Sequence, residues 1–293
     1  MSDLILCAVD GSDAMARVLD TGRWLADALE ERLVVLSVTS GRQADADADE
    51  MVGAVRAHLG DASVEVRVVE GEPAPTIRKV AAEDEPDLLV IGSRGHGALR
   101  SALLGSVSRE VATETRLPVV VVPSGRPSST DTPGGESVIC GVDGSESALA
   151  GVALGGQLAT RLGLGLVIVH ARQNVRAAAA YRGARSSTPP VTGQEDSVTA
   201  LVDALMQRAR AVAGMDATSI VEPGPPAEVL EAVAQREGGR LIVIATRGTG
   251  GVRSAILGSV ATELAANATR PVLVLSEAAA ATIAGAHPTL SGA

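Results

Sequence analysis

The chain has 293 residues, enough for two ordinary domains, and it is 46% hydrophobic and 20% charged, a balance typical of a globular protein. Its formal net charge of −10 disfavours nucleic acid or an anionic membrane as the main partner. One Trp, one Tyr and no Phe leave the core to aliphatic side chains, and an anionic ligand would have to be held by local dipoles and arginines.

The N-terminal stretch MSDLILCAVD has neither a basic region nor a long apolar run, and no apolar run in the chain reaches membrane-spanning length. We therefore expect a cytoplasmic protein with no membrane partner. The two cysteines, Cys7 and Cys140, lie in equivalent apolar runs. We expect both to be reduced residues buried in the core.

Two copies of one unit follow each other along the chain. The run LILCAVDGSD at residues 4–13 returns as VICGVDGSES at residues 138–147, and each is followed by an amphipathic, helix-like segment and a short aliphatic run. Each copy ends in a second aliphatic run, RLPVVVV or TRPVLVL. The order predicted for each copy is strand, helix, strand, helix, strand, helix, strand, glycine loop, helix, strand. This alternation predicts an α/β fold with a parallel sheet and helices on both faces.

The longest repeated stretch is GSRGHGALRSALLGSVS at residues 92–108, which returns as ATRGTGGVRSAILGSVA at residues 245–261. The first copy has the spacing G-x2-G-x9-G-S, and the second has Ala245 in place of the first glycine. Glycines between a strand and a helix let backbone N–H groups approach an anion closely. Ligands of open α/β sheets bind at the carboxyl ends of strands, where both the DGS turns and the glycine loops belong. The sequence thus predicts a phosphate-binding site in each copy.

We place the N-terminal domain at residues 1–125, a linker at 126–136, the C-terminal domain at 137–277 and a patternless, disordered tail at 278–293. The second copy is longer because of residues 172–193, a stretch rich in Ala, Arg, Ser and Pro that is typical of a mobile surface loop. This loop either folds over the second site or is inert decoration.

The repeated unit, its two VDGS turns and the glycine loop with its GSVS continuation resemble the universal stress protein family over nearly the whole chain. The resemblance implies an open five-stranded parallel sheet in each copy and an intramolecular pseudo-dimer formed through the last strands. It also implies ATP binding by the members that carry the glycine motif. The family's role is stress resistance or growth regulation, exerted through nucleotide-dependent conformation or partner binding without strong catalysis. A further homodimer and an unidentified protein partner fit the same pattern.

In the first copy, Gly92, Gly95 and Gly105 are expected to let the loop wrap a triphosphate, with Ser106 contacting a phosphate at the start of the next helix. The alternative is that Ser106 only caps that helix. Asp10 is expected to contact a ribose hydroxyl, an adenine amino group or the Mg²⁺ that accompanies the phosphates, and the alternative is a turn aspartate that binds its own backbone. The resemblance favours the ligand contact.

The resemblance implies the same roles in the second copy, with Val38 and Ala171 flanking the adenine. The candidate nucleotide-binding residues are Ala8, Val9, Asp10, Gly11, Ser12, Val38, Gly92, Ser93, Arg94, Gly95, His96, Gly105, Ser106, Val107, Ser108, Asp143, Gly144, Ser145, Ala171, Ala245, Thr246, Arg247, Gly248, Gly258, Ser259 and Val260. Because a Cβ at Ala245 could crowd the ligand or forbid a positive φ, we expect the second site to be weaker than the first or empty.

The sequence lacks the motifs of several common enzyme and metal-binding classes. The single lysine lies outside any GxxxxGK[ST] loop, no GxSxG elbow or GxGxxG turn is present, and the four histidines are not at metal-ligand spacing. His170 is expected to be a hydrogen-bonded core residue. We therefore expect an ATP-binding regulator and no catalytic residues, and ADP, AMP or a cyclic nucleotide fits the same pattern. The alternatives are slow ATP hydrolysis or nucleotidyl transfer, with His96 as the candidate base, and a nucleotide-independent interaction protein.

Overall fold

The computed structural model describes residues 3–39, 44–61, 63–95, 104–124, 136–172, 194–246 and 257–286. The first half contains β1 (Leu4–Val9), α1 (Met15–Leu29), β2 (Arg32–Thr39), α2 (Ala44–Leu59), β3 (Glu65–Glu70), α3 (Pro73–Asp84), β4 (Leu88–Gly92), α4 (Ser106–Glu114) and β5 (Val119–Val122). The second half contains β6 (Ser137–Gly141), α5 (Glu146–Leu162), β7 (Gly165–Arg172), α6 (Gln194–Val212), β8 (Ala217–Pro223), α7 (Pro226–Arg236), β9 (Gly239–Ala245), α8 (Ser259–Asn267), β10 (Val272–Leu275) and α9 (Glu277–Ala286). The alternation predicted for each copy is confirmed.

All ten strands form one sheet in the order β3-β2-β1-β4-β5-β10-β9-β6-β7-β8. Every neighbouring pair is parallel except β5 and β10, which are antiparallel. The two predicted five-stranded sheets are therefore joined, because pairing their last strands satisfies backbone groups that an open edge would expose. The strands of the second half therefore run opposite to those of the first. The carboxyl ends of the strands of one half lie on the same side of the molecule as the amino ends of the strands of the other half.

Helices cover both faces of this sheet. Alternate residues of each strand point to opposite sides, so that Leu6 belongs to one hydrophobic cluster and Cys7 to the other. On one face lie α3, α4, α7 and α8, and on the other lie α1, α2, α5, α6 and α9. Strands buried on both faces need continuous apolar runs, which explains the aliphatic strand sequences.

Beyond strand pairing, side-chain contacts also join the halves. The guanidinium of Arg161, at the end of α5, donates to the backbone oxygen of Leu29 at 2.7 Å and to the carboxylate of Glu31 at 2.8 Å. The guanidinium carbon of Arg240 lies 4.2 Å from the centroid of the Trp24 ring. The only tryptophan of the chain therefore contacts the opposite half.

The predicted disordered tail is wrong for residues up to 286, because α9 occupies residues 277–286. Ala279 and Ala280 of this helix are 0% and 3% exposed, and Ala279 belongs to the cluster that includes α5. Small side chains give no amphipathic pattern strong enough to notice in the sequence, yet they allow close packing of two helices.

Both cysteines are buried and reduced, as predicted, and burial raises the pKa of each thiol above its ordinary value. Among the helices that the structure describes, none has the length and apolar character needed to cross a membrane. The predicted linker and the extra loop of the second copy fall almost entirely at residues 125–135 and 173–193, outside the described part of the chain.

Candidate functional site

The two DGS turns follow β1 and β6, and each is closed by its aspartate. In the first turn Asp10 Oδ1 accepts the Ser12 N–H at 3.1 Å. In the second, Asp143 Oδ1 accepts the N–H of Ser145 at 3.0 Å and its hydroxyl at 2.7 Å. The glycine between them needs a left-handed backbone, with φ +72° at Gly11. The turn role considered for these aspartates is therefore present, and it fixes the carboxylates at the carboxyl end of the sheet.

The first glycine loop leaves β4 and is held by backbone bonds. The Ser93 N–H donates to Val122 O at 2.8 Å, and the Gly105 N–H donates to Ser93 O at 2.8 Å. The hydroxyl of Ser108, on the first turn of α4, donates to Gly92 O at 2.6 Å. The side chains of Ser93 and Ser108 are 0% and 3% exposed, so both face into the protein and support the loop.

The glycines of this loop permit close approach between parts of the chain. A Cβ on Gly95 would lie 2.1 Å from Asp10 Oδ2, so the DGS turn and the loop touch at this point. A Cβ on Gly105 would lie 3.1 Å from Ser93 O. The sequence suggested that glycines are needed here to keep Cβ atoms away from a phosphate. The structure adds a second reason for glycine, because a Cβ would also collide with Asp10 or with the loop backbone.

Ser106 is the first residue of α4 and its side chain is exposed, while Gly105 is the N-cap. Ser106 is therefore not the N-cap of its own helix, and that alternative is wrong. The first N–H groups of a helix have no intrahelical acceptor and carry the positive end of the helix dipole. A glycine N-cap has no side chain to accept from them. The next residue, Val107, is half-buried and packs on the core.

The second glycine loop repeats this arrangement. The Thr246 N–H donates to Leu275 O, and the Gly258 N–H donates to Thr246 O, each at 2.8 Å. A Cβ on Gly258 would lie 2.4 Å from Thr246 O. Gly258 is the N-cap of α8, and Ser259 is its exposed first residue. Val260 packs on the core as Val107 does.

Ala245 takes the place of Gly92 in the second copy, and only part of the effect expected of it can be compared with the structure. Its counterpart Gly92 has no left-handed φ, and a Cβ there would meet Val18 at 3.3 Å and Ala14 at 3.7 Å, which are residues of α1 and its N-cap. In the second half the position of Val18 is taken by Gly151. Ala245 has no left-handed φ either, so the expectation of a forbidden positive φ is wrong, while crowding of a ligand by its Cβ stays a prediction. How strongly that site binds stays a prediction.

The remaining candidates fall into four groups. Ala8 and Val9 are 4% and 7% exposed, so their side chains belong to the core and only their backbone borders the site. Val38 and Ala171 are half-buried at the ends of β2 and β7 and pack against one hydrophobic cluster. Arg94 is half-buried and Gly144 is exposed in its turn. His96, Arg247 and Gly248 lie outside the described residues, as do the loop arginines Arg100 and Arg253.

Sequence reasoning missed one supporting residue, Ser124, and one difference between the two copies, Gly151. Ser124 follows β5, and its N–H donates to Ser93 Oγ at 2.9 Å. Gly151 lies eight positions after Asp143, and only alignment with Val18 marks it as unusual. His170 is half-buried and hydrogen-bonded, as predicted. Its Nδ1 lies 2.9 Å from the backbone oxygen of Val142, the residue that precedes Asp143. A proton on Nδ1 is required for this bond.

Together these residues define a class of protein: a doubled, open α/β sheet with a glycine-capped, exposed helix N-terminus at the switch point of each half. In the first half the strand order reverses between β1 and β4, and the DGS turn and the glycine loop follow those two strands. The second half has the same relation at β6 and β9.

Comparison with known proteins names the family. A family model described as "Universal stress protein family" matches residues 1–123 and 136–276. A universal stress protein of Mycobacterium tuberculosis is 30% identical over 259 residues, which are 87% of this chain and 83% of that protein. A solved universal stress protein from Archaeoglobus fulgidus has a TM-score of 0.64 and 21% identity, covering 94% of this chain and 99% of that one. A putative universal stress protein from Pseudomonas aeruginosa has a TM-score of 0.66 at 16% identity, covering 99% and 98%.

The chain belongs to the universal stress protein family, as a tandem member with two copies of the domain. Membership supports a role in the stress response. The resemblance noted in the sequence is confirmed.

Proposed function

We propose that the protein binds an adenine nucleotide, ATP in the first instance, at the carboxyl edge of each half and acts as a nucleotide-dependent regulator. One observation carries the proposal. The exposed N-terminus of α4, at Ser106, follows a loop that touches Asp10 through Gly95 at the β1/β4 switch point. A phosphate chain there would meet helix N–H groups and a hydroxyl, close to a carboxylate on a fixed turn.

The residues of the site suit the parts of such a ligand. The backbone and hydroxyl of Ser106 suit a phosphate, and half-buried Val38 offers an aliphatic surface to the base. Asp10 would contact a ribose hydroxyl or share a Mg²⁺ ion with phosphate oxygens, since Mg²⁺ in phosphate sites is held by one or two carboxylates, substrate phosphates and water. Within the described residues no group of three His, Cys, Asp or Glu side chains could hold a metal alone, so Mg²⁺ would arrive with the nucleotide.

We propose a binding protein, with no efficient turnover, that works in the cytoplasm where ATP is available. Asp10 already accepts the Ser12 N–H, and its fixed position suits binding better than proton abstraction. Signalling would pass to a protein partner, or to a second copy of the chain, that distinguishes the loaded loops from the empty ones.

The test is to denature freshly purified protein and to measure the released nucleotide by chromatography, in moles per chain. The matched variants are Gly105→Val, whose side chain would strike Ser93 O, and Gly53→Val, where a Cβ on α2 meets nothing within 4 Å. We expect nucleotide in the natural protein and in the Gly53 variant, and a reduced amount in the Gly105 variant. No nucleotide, together with no rise in melting temperature on adding Mg-ATP, would favour the nucleotide-independent interaction protein.

A further inference from the structure

The two glycine loops are connected through one buried hydroxyl that belongs to neither. Ser276 follows β10 and is 2% exposed. Its hydroxyl donates to the backbone oxygen of Thr115 at 2.6 Å, across the junction of the two halves. The hydroxyl oxygen of Ser276 also accepts the Ala279 N–H at 3.0 Å, so that Ser276 caps α9.

On the side of the first half, this bond ends on the helix that carries the candidate phosphate contact. Thr115 is the C-cap of α4, its N–H donates to Val111 O at 3.2 Å, and the residue is 6% exposed. The other end of α4 is Ser106. A helix of nine residues moves as one body, so a displacement at Ser106 reaches the Thr115 carbonyl.

On the side of the second half, Ser276 adjoins the second loop. The neighbouring Leu275 O accepts the Thr246 N–H at 2.8 Å, and Thr246 O accepts the Gly258 N–H at 2.8 Å. Gly258 begins α8, where Ser259 is the second candidate phosphate contact. The route between the two loops thus consists of one helix, three hydrogen bonds and one peptide link.

The first half has no serine at the position equivalent to Ser276. The first-half counterpart of Leu275 is Val122, since each accepts the N–H that opens its own glycine loop. The residue after Val122 is Pro123, which has neither a hydroxyl nor an N–H to donate. A single serine therefore forms this link between loops that otherwise repeat each other.

We propose that Ser276 couples the two glycine loops, so that ordering one of them stabilises the other. A ligand that fixes α4 holds the Thr115 carbonyl in place, which favours the Ser276 bond and with it the backbone of Leu275 and Thr246. The loops are then positively coupled, and the effect is reciprocal for binding. The coupling of loop stabilities stands on these contacts alone, and its expression in nucleotide affinity rests on the proposed function.

Hydrogen exchange of the full chain tests the coupling without any ligand. Ser276→Ala removes the hydroxyl, and we expect exchange at least fivefold faster both in α4 and in the β9 end that leads to Thr246. Thr282→Ala is the matched control, because it removes an exposed hydroxyl of α9 that bonds only within that helix, to Ala278 O at 3.0 Å. Faster exchange confined to α9, or no change, would overturn the proposal.

A second variant separates coupling from helix capping. In Ser276→Gly the N-cap of α9 is still a tolerated residue, since glycine at this position costs little helix stability, but the hydroxyl that donates to the Thr115 carbonyl is absent. We expect protection of α9 to be retained while α4 and the second loop exchange as fast as in Ser276→Ala. Protection restored in all three segments would mean that Ser276 only caps α9, and the coupling would be excluded.

The nucleotide measurement uses ATP and calorimetry. Gly105→Val disables the first loop. The affinity of the second site for ATP is measured in four proteins: the natural protein, Gly105→Val, Ser276→Ala and the double variant. We expect Gly105→Val to weaken the second site about fivefold when Ser276 is present and to leave it unchanged otherwise. An equal effect in both backgrounds overturns the coupling and leaves the proposed function intact. No ATP binding by any protein overturns the proposed function, and the exchange experiment then decides the coupling.

Discussion

Arg240 of the second half covers the Trp24 ring of the first, with 4.2 Å between its guanidinium carbon and the ring centroid. Burial lowers the pKa of Arg240 from its ordinary value, as expected for a cation partly removed from water. The aromatic face partly offsets that cost, and such contacts contribute about 1 kcal/mol. The sole tryptophan is therefore a reporter on the junction of the halves.

We expect Arg240→Ala to shift the tryptophan emission to longer wavelength, because the ring gains water, and to lower the free energy of unfolding by about 1 kcal/mol. Fluorescence spectra and urea denaturation give the two values. Arg32→Ala is the control, since the Arg32 side chain is 66% exposed and lies on β2 beside Glu65. An unchanged spectrum in Arg240→Ala would mean that the contact is not maintained in solution.

The second prediction concerns the Arg161–Glu31 pair. The side chain of Glu31 is 1% exposed and that of Arg161 is 34% exposed. Burial raises the pKa of Glu31, against the opposite effect of Arg161. Arg161→Ala leaves a buried carboxylate without its cation, and we expect a loss of about 2 kcal/mol at pH 8, below the usual range for buried pairs because water reaches Arg161.

The pH dependence of that loss follows from the sign of the shift. A carboxyl whose pKa is raised in the folded protein stabilises it below the ordinary pKa, and this contribution is lost as pH rises through the raised value. Removing Arg161 raises the pKa of Glu31 further, so the penalty of Arg161→Ala should shrink on going from pH 8 to pH 5. Glu31→Gln should rescue Arg161→Ala at pH 8. Denaturation curves of the four proteins at both pH values provide the check, and a penalty independent of pH would contradict it.

The exchange of sizes between Gly92/Val18 and Ala245/Gly151 gives a third prediction. Gly151→Val adds methyl groups where a Cβ already lies 3.5 Å from Leu275 and 3.8 Å from Val243, and it should destabilise the second half by roughly 1–3 kcal/mol through overpacking. The double variant Gly151→Val/Ala245→Gly restores the first-half residues at both positions and should recover the part of that loss that is due to the Cβ of Ala245. Thermal unfolding of the three proteins measures the effect. Equal losses in the single and double variants would show that the two positions do not face each other.

A fourth prediction concerns the support of the first loop. Ser108→Ala removes the donor to Gly92 O, and we expect a loss of about 1 kcal/mol in stability. Bound nucleotide should also decrease, because the backbone of Gly92 is no longer held beside α4. Thr113→Ala on the same helix is the control, since that hydroxyl bonds only to Arg109 O and Glu110 O within α4. Equal nucleotide content in both variants would separate Ser108 from the site.

The sequence predicted the architecture because buried parallel strands require aliphatic runs and the repeat shows each run twice. It did not reveal α9, whose alanines acquire meaning only when α5 lies against them. The surroundings of position 92, the counterpart of Ala245, were invisible for a related reason. Residue 18 and residue 92 are far apart in the chain, and only the fold shows that the Cβ at the second position points at the first. The contact between Gly95 and Asp10 was equally invisible, since glycine spacing says nothing about which atom occupies the space.

The antiparallel pairing of β5 with β10 has a consequence for how the protein is approached. Because it turns one half over relative to the other, the two DGS turns open toward opposite ends of the molecule. The two turns are therefore exposed at separate places on the molecule, with the strands of the sheet between them. A molecule that binds at one turn is therefore expected to leave the other turn accessible.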